Sequence, residues 1–170
     1  MTSIDKPIVC VYPVSMGSEQ SLTVPGRYKE IKRICEFIAA GAAQAGFGDE
    51  AIFRLELCCD EASTNIIEHA YGEEDTGSIV VSYEISGDDF IIVMRDQGRA
   101  FDPALVPPPP TINLDGTSAD GSTGQLRIGG LGLHLIRNLM DEVRFSSDSR
   151  EGNKLVMIKK LEAQTGKEAS

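Results

Sequence analysis

The chain lacks any apolar run close to the roughly 20 residues that a membrane-spanning helix needs. Its first residues, MTSIDKPIVC, also lack the basic and long apolar stretches of a secretory signal. A cytoplasmic protein is therefore expected. Positive charge is scarce: 16 Lys and Arg stand against 26 Asp and Glu, for a formal net charge of -10. That balance argues against a nucleic-acid backbone or an anionic membrane as the main partner, and leaves room for a basic patch on a protein. Paired cysteines are missing as well. Cys10, Cys35, Cys58 and Cys59 form no CxxC pair, and helix neighbours do not bridge easily, so all four read as reduced, small core residues. What is present, 170 residues with 41% hydrophobic content, suffices for one domain with a proper core.

Element types alternate along the chain without an internal repeat. After an undetermined segment over 1–20, SLTV (21–24) reads as a short strand, and Pro25 opens a helix that runs to about Gly46. A second helix is expected from about Asp49 to Ala70, with Ile52, Leu55, Cys59, Ala62 and Ile66 in one apolar stripe and YG as its stop. The alternating SIVVSYEIS (78–86), a GDD turn and FIIVMR (90–95) read as a hairpin. From about 103 to 128 the pattern gives way to PPPP and a Gly, Ser, Thr and Asp mixture, which in a compact domain suggests a functional lid. LGLHLIRNLMDEV then reads as a third helix, VRFSS as a strand, DSREGN as a turn and KLVMIKKL as a closing strand, before a polar tail over 162–170. Two packed layers with roughly five strands follow.

Three stretches carry chemistry. On the second helix Glu61, Asn65 and His69 are spaced i, i+4 and i+8, a polar row beside the apolar stripe. Alone, the row reads as a solvated helix edge, and His69 as a packing or capping residue. In RDQGRAFDP (95–103), Asp96 ends a hydrophobic strand just before Gly98. Such a carboxylate can accept from an exocyclic amine while glycine lets backbone approach a flat ring; Asp-x-Gly is also a common turn. In GGLGLHLI (129–136), Gly129, Gly130 and Gly132 open a helix, where free amides and the helix dipole favour an anion. Helix-packing glycines are the alternative.

In this order the three stretches resemble the GHKL superfamily of ATPases, with its N box at Glu61 and Asn65, its G1 box at Asp96, Gly98, Phe101 and Asp102, and its G2 box at Gly130, Leu131 and Gly132. CCDEASTNIIEHAYG, FDP and GGLGLHLIRNLMDEV are most similar to the small anti-sigma-factor serine/threonine kinases of partner-switching systems. The likeness runs from about Leu22 to Leu161. It implies an α/β two-layer sandwich, the Bergerat fold: a mixed, largely antiparallel sheet covered on one face by three helices, in a single domain over 21–161.

The resemblance also implies roles. Asn65 would hold Mg2+ against the phosphates of ATP, and Glu61 would act as general base on an acceptor hydroxyl. Asp96 would read the adenine amine, Gly98 and Phe101 would lie by the base, and Gly130, Leu131 and Gly132 would cradle phosphate. The implied partners are a sigma factor or other regulated protein, and an anti-sigma-factor antagonist as phosphorylation substrate, docked near the first helix and lid. There Arg27, Lys29, Lys32 and Arg33 could steer an acidic surface, or simply form a solvated face. Two features depart from the pattern: Ala100 stands where the G1 box usually has glycine, and the lid is long and proline-rich. A partner-binding module with a vestigial nucleotide site is the alternative. A one-chain sensor histidine kinase is disfavoured because no histidine precedes His69 to accept a phosphate. The oligomeric state stays open, a homodimer included.

Overall fold

The computed structural model describes residues 19–102 and 131–161. The expectations for the N-terminal segment up to residue 18, for Cys10, for the lid, for Gly129 and Gly130, and for the polar tail lie outside those residues.

Alternation of apolar and polar side chains, period two, puts one face of each strand toward a common core. β1 (Gln20–Pro25), β2 (Ser78–Ser86), β3 (Asp89–Asp96), β4 (Glu142–Asp148) and β5 (Gly152–Lys160) form one sheet in the order β1-β2-β3-β5-β4. Every pairing among the described residues is antiparallel. The β2–β3 hairpin closes through Gly87 and Asp88, with Gly87 at φ +62°, as a two-residue turn led by glycine requires. Val24, Ile79, Val81, Phe90, Ile92, Met94 and Met157 bury the inner face of the sheet.

Helical periodicity supplies the second layer. α1 (Tyr28–Ala45) turns Ile31, Ile34, Ile38 and Ala42 inward and lies against β1, β2 and β3. Its interior Gly41 is explained by Tyr83, whose ring fills the space of a side chain there. α2 (Asp49–Asn65) buries Leu55, Cys58, Cys59 and Ala62 and packs on both α1 and α3 (Leu131–Leu139). The result is the expected α/β two-layer sandwich, three helices over an antiparallel sheet.

Three elements differ from their expected form. Pro25 ends β1, paired with Ser78, and does not open the first helix, which starts at Tyr28. The second helix is α-helical only to Asn65; Ile66–Tyr71 form a π-helical turn, marked by Gly72 N–H donating to Ile67 C=O five residues back at 2.9 Å. The turn keeps Ile66, Ile67, Ala70 and Tyr71 all buried, which a regular α-helix would spread over a wider arc. The third helix stops at Leu139, not at Val143, because Asp141, just before β4, is tied to β5: its backbone N–H donates to Ile158 C=O, and its carboxylate accepts from Lys160 N–H at 2.7 Å. The reduced cysteines are as expected among the described residues. Burial pushes the Cys35 thiol up to about 11 and Cys58 to about 12, and raises Cys59 well above its ordinary value, so none is a thiolate at neutral pH.

Candidate nucleotide site

A cleft of about 110 Å3 opens between the end of α2 with its π-helical turn, the start of α3 and the β3–β5–β4 edge. Its walls are apolar: Met94, Phe101, Leu133, Ile136, Phe145 and Leu155. The Phe101 and Phe145 rings lie 5.3 Å apart, tilted at 52°. Polar groups enter at few places, the composition expected of a small-molecule site.

Asp96 is the most deeply set of these. It ends β3 opposite Asn153 of β5, is 6% exposed, and lines the cleft. Its Oδ1 accepts from Gly98 N–H and from Asn153 Nδ2, both at 2.8 Å. No hydrogen bond to its Oδ2 is found among the described residues. Burial raises the Asp96 carboxyl above the ordinary aspartate value, while the Asn153 amide and the Gly98 N–H pull it back.

Asn153 itself was not legible as a site residue: in the sequence it ends a turn-like DSREGN. In the structure it is the second residue of β5 and shares the inward face with Leu155 and Met157. Carrying the alternation of KLVMI back one step would have placed it there. Besides binding Asp96, its Nδ2 donates to Arg99 C=O at 2.8 Å, and its Oδ1 accepts from Phe101 N–H at 3.1 Å.

Gly98 has a reason of its own. It does not line the cleft; a Cβ there would lie about 2.5 Å from the carbonyl of Ala70 in the π-helical turn. The close approach is sealed by Arg99 N–H donating to Ala70 C=O at 2.8 Å. Tyr71 adds a second tie, donating from its hydroxyl to Ser78 C=O at 2.6 Å and accepting from Gln97 N–H at 3.3 Å. The helix that carries Asn65 and the strand end that carries Asp96 are thus fastened together. Glycine at position 98 is thus required by the close approach of Ala70.

Asn65, half-buried, and His69, exposed, line the cleft from the helix side. Glu61 is half-buried one turn before Asn65 and does not line the cleft; its carboxylate lies in the space that a side chain at Gly132 would take. Desolvation, then the charges of Asp60 and Glu68, raise the Glu61 carboxyl, partly offset by His69 and the Asn65 side chain. Gly132 is buried near the start of α3, directly after Leu131. Ala100 also lines the cleft, and Asp102 is exposed at the end of the described loop. Among the described residues no three His, Cys, Asp or Glu side chains form a metal-binding cluster. Mg2+ needs none when phosphates and water fill most of its octahedron.

At the start of α1, three of the four basic residues are paired within the chain. Arg27 binds Asp75, Lys32 lies 3.6 Å from Glu36, and Arg33 lies 3.7 Å from Glu30. That local pairing leaves less free charge for steering than the sequence suggests.

Residues 24–159 match the family described as histidine kinase-like ATPase domain. Among curated relatives, the serine-protein kinase RsbW of Listeria monocytogenes serotype 4a is 39% identical over 147 residues, spanning 85% of this chain and 88% of that protein. The RsbW of Bacillus velezensis is 31% identical over 151 residues, 86% of each chain. That of Bacillus subtilis is 30% identical over 148 residues, 84% of this chain and 86% of the relative. The chain belongs to the histidine kinase-like ATPase domain family, among relatives of the serine-protein kinase RsbW.

Proposed function

We propose that the protein is an ATP-dependent, Mg2+-requiring serine/threonine protein kinase and an anti-sigma regulatory factor. In this reading it binds a sigma factor in the cytoplasm and phosphorylates a serine on a small antagonist protein. The serine-kinase part is supported by the names of relatives that align over most of both chains. The nucleotide part is carried by Asp96, a carboxylate at an apolar cleft with Oδ1 engaged and Oδ2 left to a ligand.

The residues present suit Mg-ATP. An apolar slot with one acceptor-only oxygen fits a purine that carries an exocyclic amine. When bound, Mg-ATP supplies the transferable phosphoryl group and the cation that offsets its charge. Asp96 accepts the adenine amine through Oδ2, while Met94, Phe101, Ile136 and Leu155 exclude water from the ring. Asn65 would offer its side-chain oxygen to the metal, and the resemblance implies that Gly130, Leu131 and Gly132 would supply the phosphate cradle. Glu61, its carboxyl raised by burial, takes the proton from the serine hydroxyl; a carboxylate with an elevated pKa is the stronger base.

The test is capture of binding partners with the full chain, followed by transfer of labelled γ-phosphate from Mg-ATP to the captured proteins. Label on a serine of a small partner, with a sigma factor among the captured proteins, is expected. Nucleotide-independent capture with no labelled serine would instead favour the partner-binding module with a vestigial site.

A further inference from the structure

We propose that the π-helical turn is a lever joining the cleft to the start of α1: a bound nucleotide holds the π-turn, and the π-turn holds the first turn of α1. The inference rests on the nucleotide reading above. α1 begins without a cap of its own, since Arg27 at its N-cap position makes no side-chain cap hydrogen bond. What its end needs comes from far along the chain. The Tyr28 N–H donates to Glu74 Oε1 at 2.8 Å, which also sets a carboxylate at the positive end of the helix dipole. The Tyr28 hydroxyl donates to Glu68 Oε1 at 3.3 Å, and the Arg27 guanidinium binds Asp75. Just ahead of the helix, Gly26 N–H donates to Gly77 C=O at 2.8 Å, and Gly26 C=O accepts from Asp75 N–H at 3.1 Å. The Tyr71 ring lies 3.1 Å from where a Cβ on Gly26 would stand. All of these partners belong to 68–77, the stretch that runs through and out of the π-turn.

The same turn forms the helix side of the cleft. At its start it continues from Asn65, which lines the cleft; at its end Ala70 C=O accepts from Arg99 N–H, and the Tyr71 hydroxyl bonds Ser78 and Gln97. Glu68 and His69 sit between those two anchors. These neighbours face different ways: His69 lines the cleft, and Glu68 holds Tyr28. A π-turn winds one more residue than an α-turn and is rare, so this one is kept by its contacts and gives way to α winding when they are lost. Rewinding would carry both side chains around the helix axis, withdrawing His69 from the cleft wall and Glu68 from Tyr28 in one step. A ligand resting against Asn65, His69 and Ala70 therefore favours the winding that keeps Tyr28 in place, and each end biases the other without touching it. Tyr28 is 48% exposed, so a protein docked on the first turn of α1 would sense whether the cleft is filled.

Amide hydrogen exchange read residue by residue, with and without Mg-ATP, tests this alongside calorimetric titration of Mg-ATP. In the wild type, Mg-ATP should slow the amides of 28–31 by about fivefold or more beyond any slowing at the last turn of α1, 42–45. Tyr28→Phe, which removes one exposed hydroxyl, should lose part of that excess, and Tyr28→Phe combined with Glu74→Ala nearly all of it. Because coupling is reciprocal, Mg-ATP affinity should fall by a similar factor in the double variant, although neither residue lines the cleft. Lys29→Ala, at a side chain of the same turn that makes no ion pair among the described residues, should keep both the excess and the affinity. Equal slowing along the whole of α1, or single and double variants that match the wild type in both readouts, would overturn the inference alone. A wild type that binds no Mg-ATP would overturn the nucleotide reading and the inference with it.

Discussion

Single residues divide the tasks in a way that can be measured. Glu61→Gln keeps the reach of the side chain and loses its basicity. Phosphoryl transfer should therefore fall by about 100-fold to 10,000-fold with nucleotide affinity retained, whereas Asn65→Ala should lose tight Mg-ATP binding and turnover together. Equal loss of binding in both would make Glu61 a structural or metal-site residue. The acid limb of the pH–rate profile should lie above that of an ordinary glutamate, because desolvation and then Asp60 raise the Glu61 carboxyl. Asp60→Asn should move that limb to lower pH; a limb that stays put would separate Glu61 from the titration seen. Asp96 carries a linked stability effect. Its folded-state pKa is raised, so its contribution to stability is fully present below the unfolded value and is lost as pH rises through the folded one. Without nucleotide, Asp96→Asn should therefore melt at or above the wild-type temperature at neutral pH, with the difference shrinking toward acid. A mutant that melts well below the wild type at neutral pH would show that the ionised carboxylate is needed for folding.

Elements show which of these features could be read from the sequence and which could not. The alternation in β2 and β3 and the period of α1 were legible because one face of each is buried, so the pattern itself reports the neighbour. The π-helical turn was not: IIEHAY is as good an α-helix as a π-turn locally, and only the contact of Ala70 with Gly98 and the bonds of Tyr71 to Ser78 and Gln97 select the wider winding. Asn153 was hidden for a similar reason, since a polar residue after EG reads as turn until its partners across the β3–β5 ladder are known. Asp96 and Asn65 were legible as types at a spacing, but not the tie between their elements. Gly98→Ala tests that tie. The added methyl would press on the Ala70 backbone, which is not free to rotate away. A destabilisation of about 1–3 kcal/mol is expected from overpacking, together with weaker Mg-ATP binding. A fold as stable as the wild type with full affinity would mean that the β3 exit and the π-turn move independently. Gly132→Ala sets a methyl against the Glu61 carboxylate and should impair transfer more than binding.

At the scale of the whole molecule, one antiparallel sheet and three helices hold a cleft between layers, and no helix among the described residues is long and apolar enough to cross a membrane. Occupancy of that cleft should stabilise the fold as a unit. A ligand that binds only the native state adds about 2.7 kcal/mol at a hundredfold excess over Kd. A rise in melting temperature with Mg-ATP is thus expected across the domain, in a single transition. The central claim is that Asp96 reads the base of a nucleotide in this cleft, and calorimetric titration of Mg-ATP into the wild type and into Asp96→Asn tests it most directly. One nucleotide per chain is expected to bind the wild type, with binding to Asp96→Asn largely abolished while the mutant remains folded. Equal affinity in the two proteins, or no heat of binding in the wild type, would contradict it.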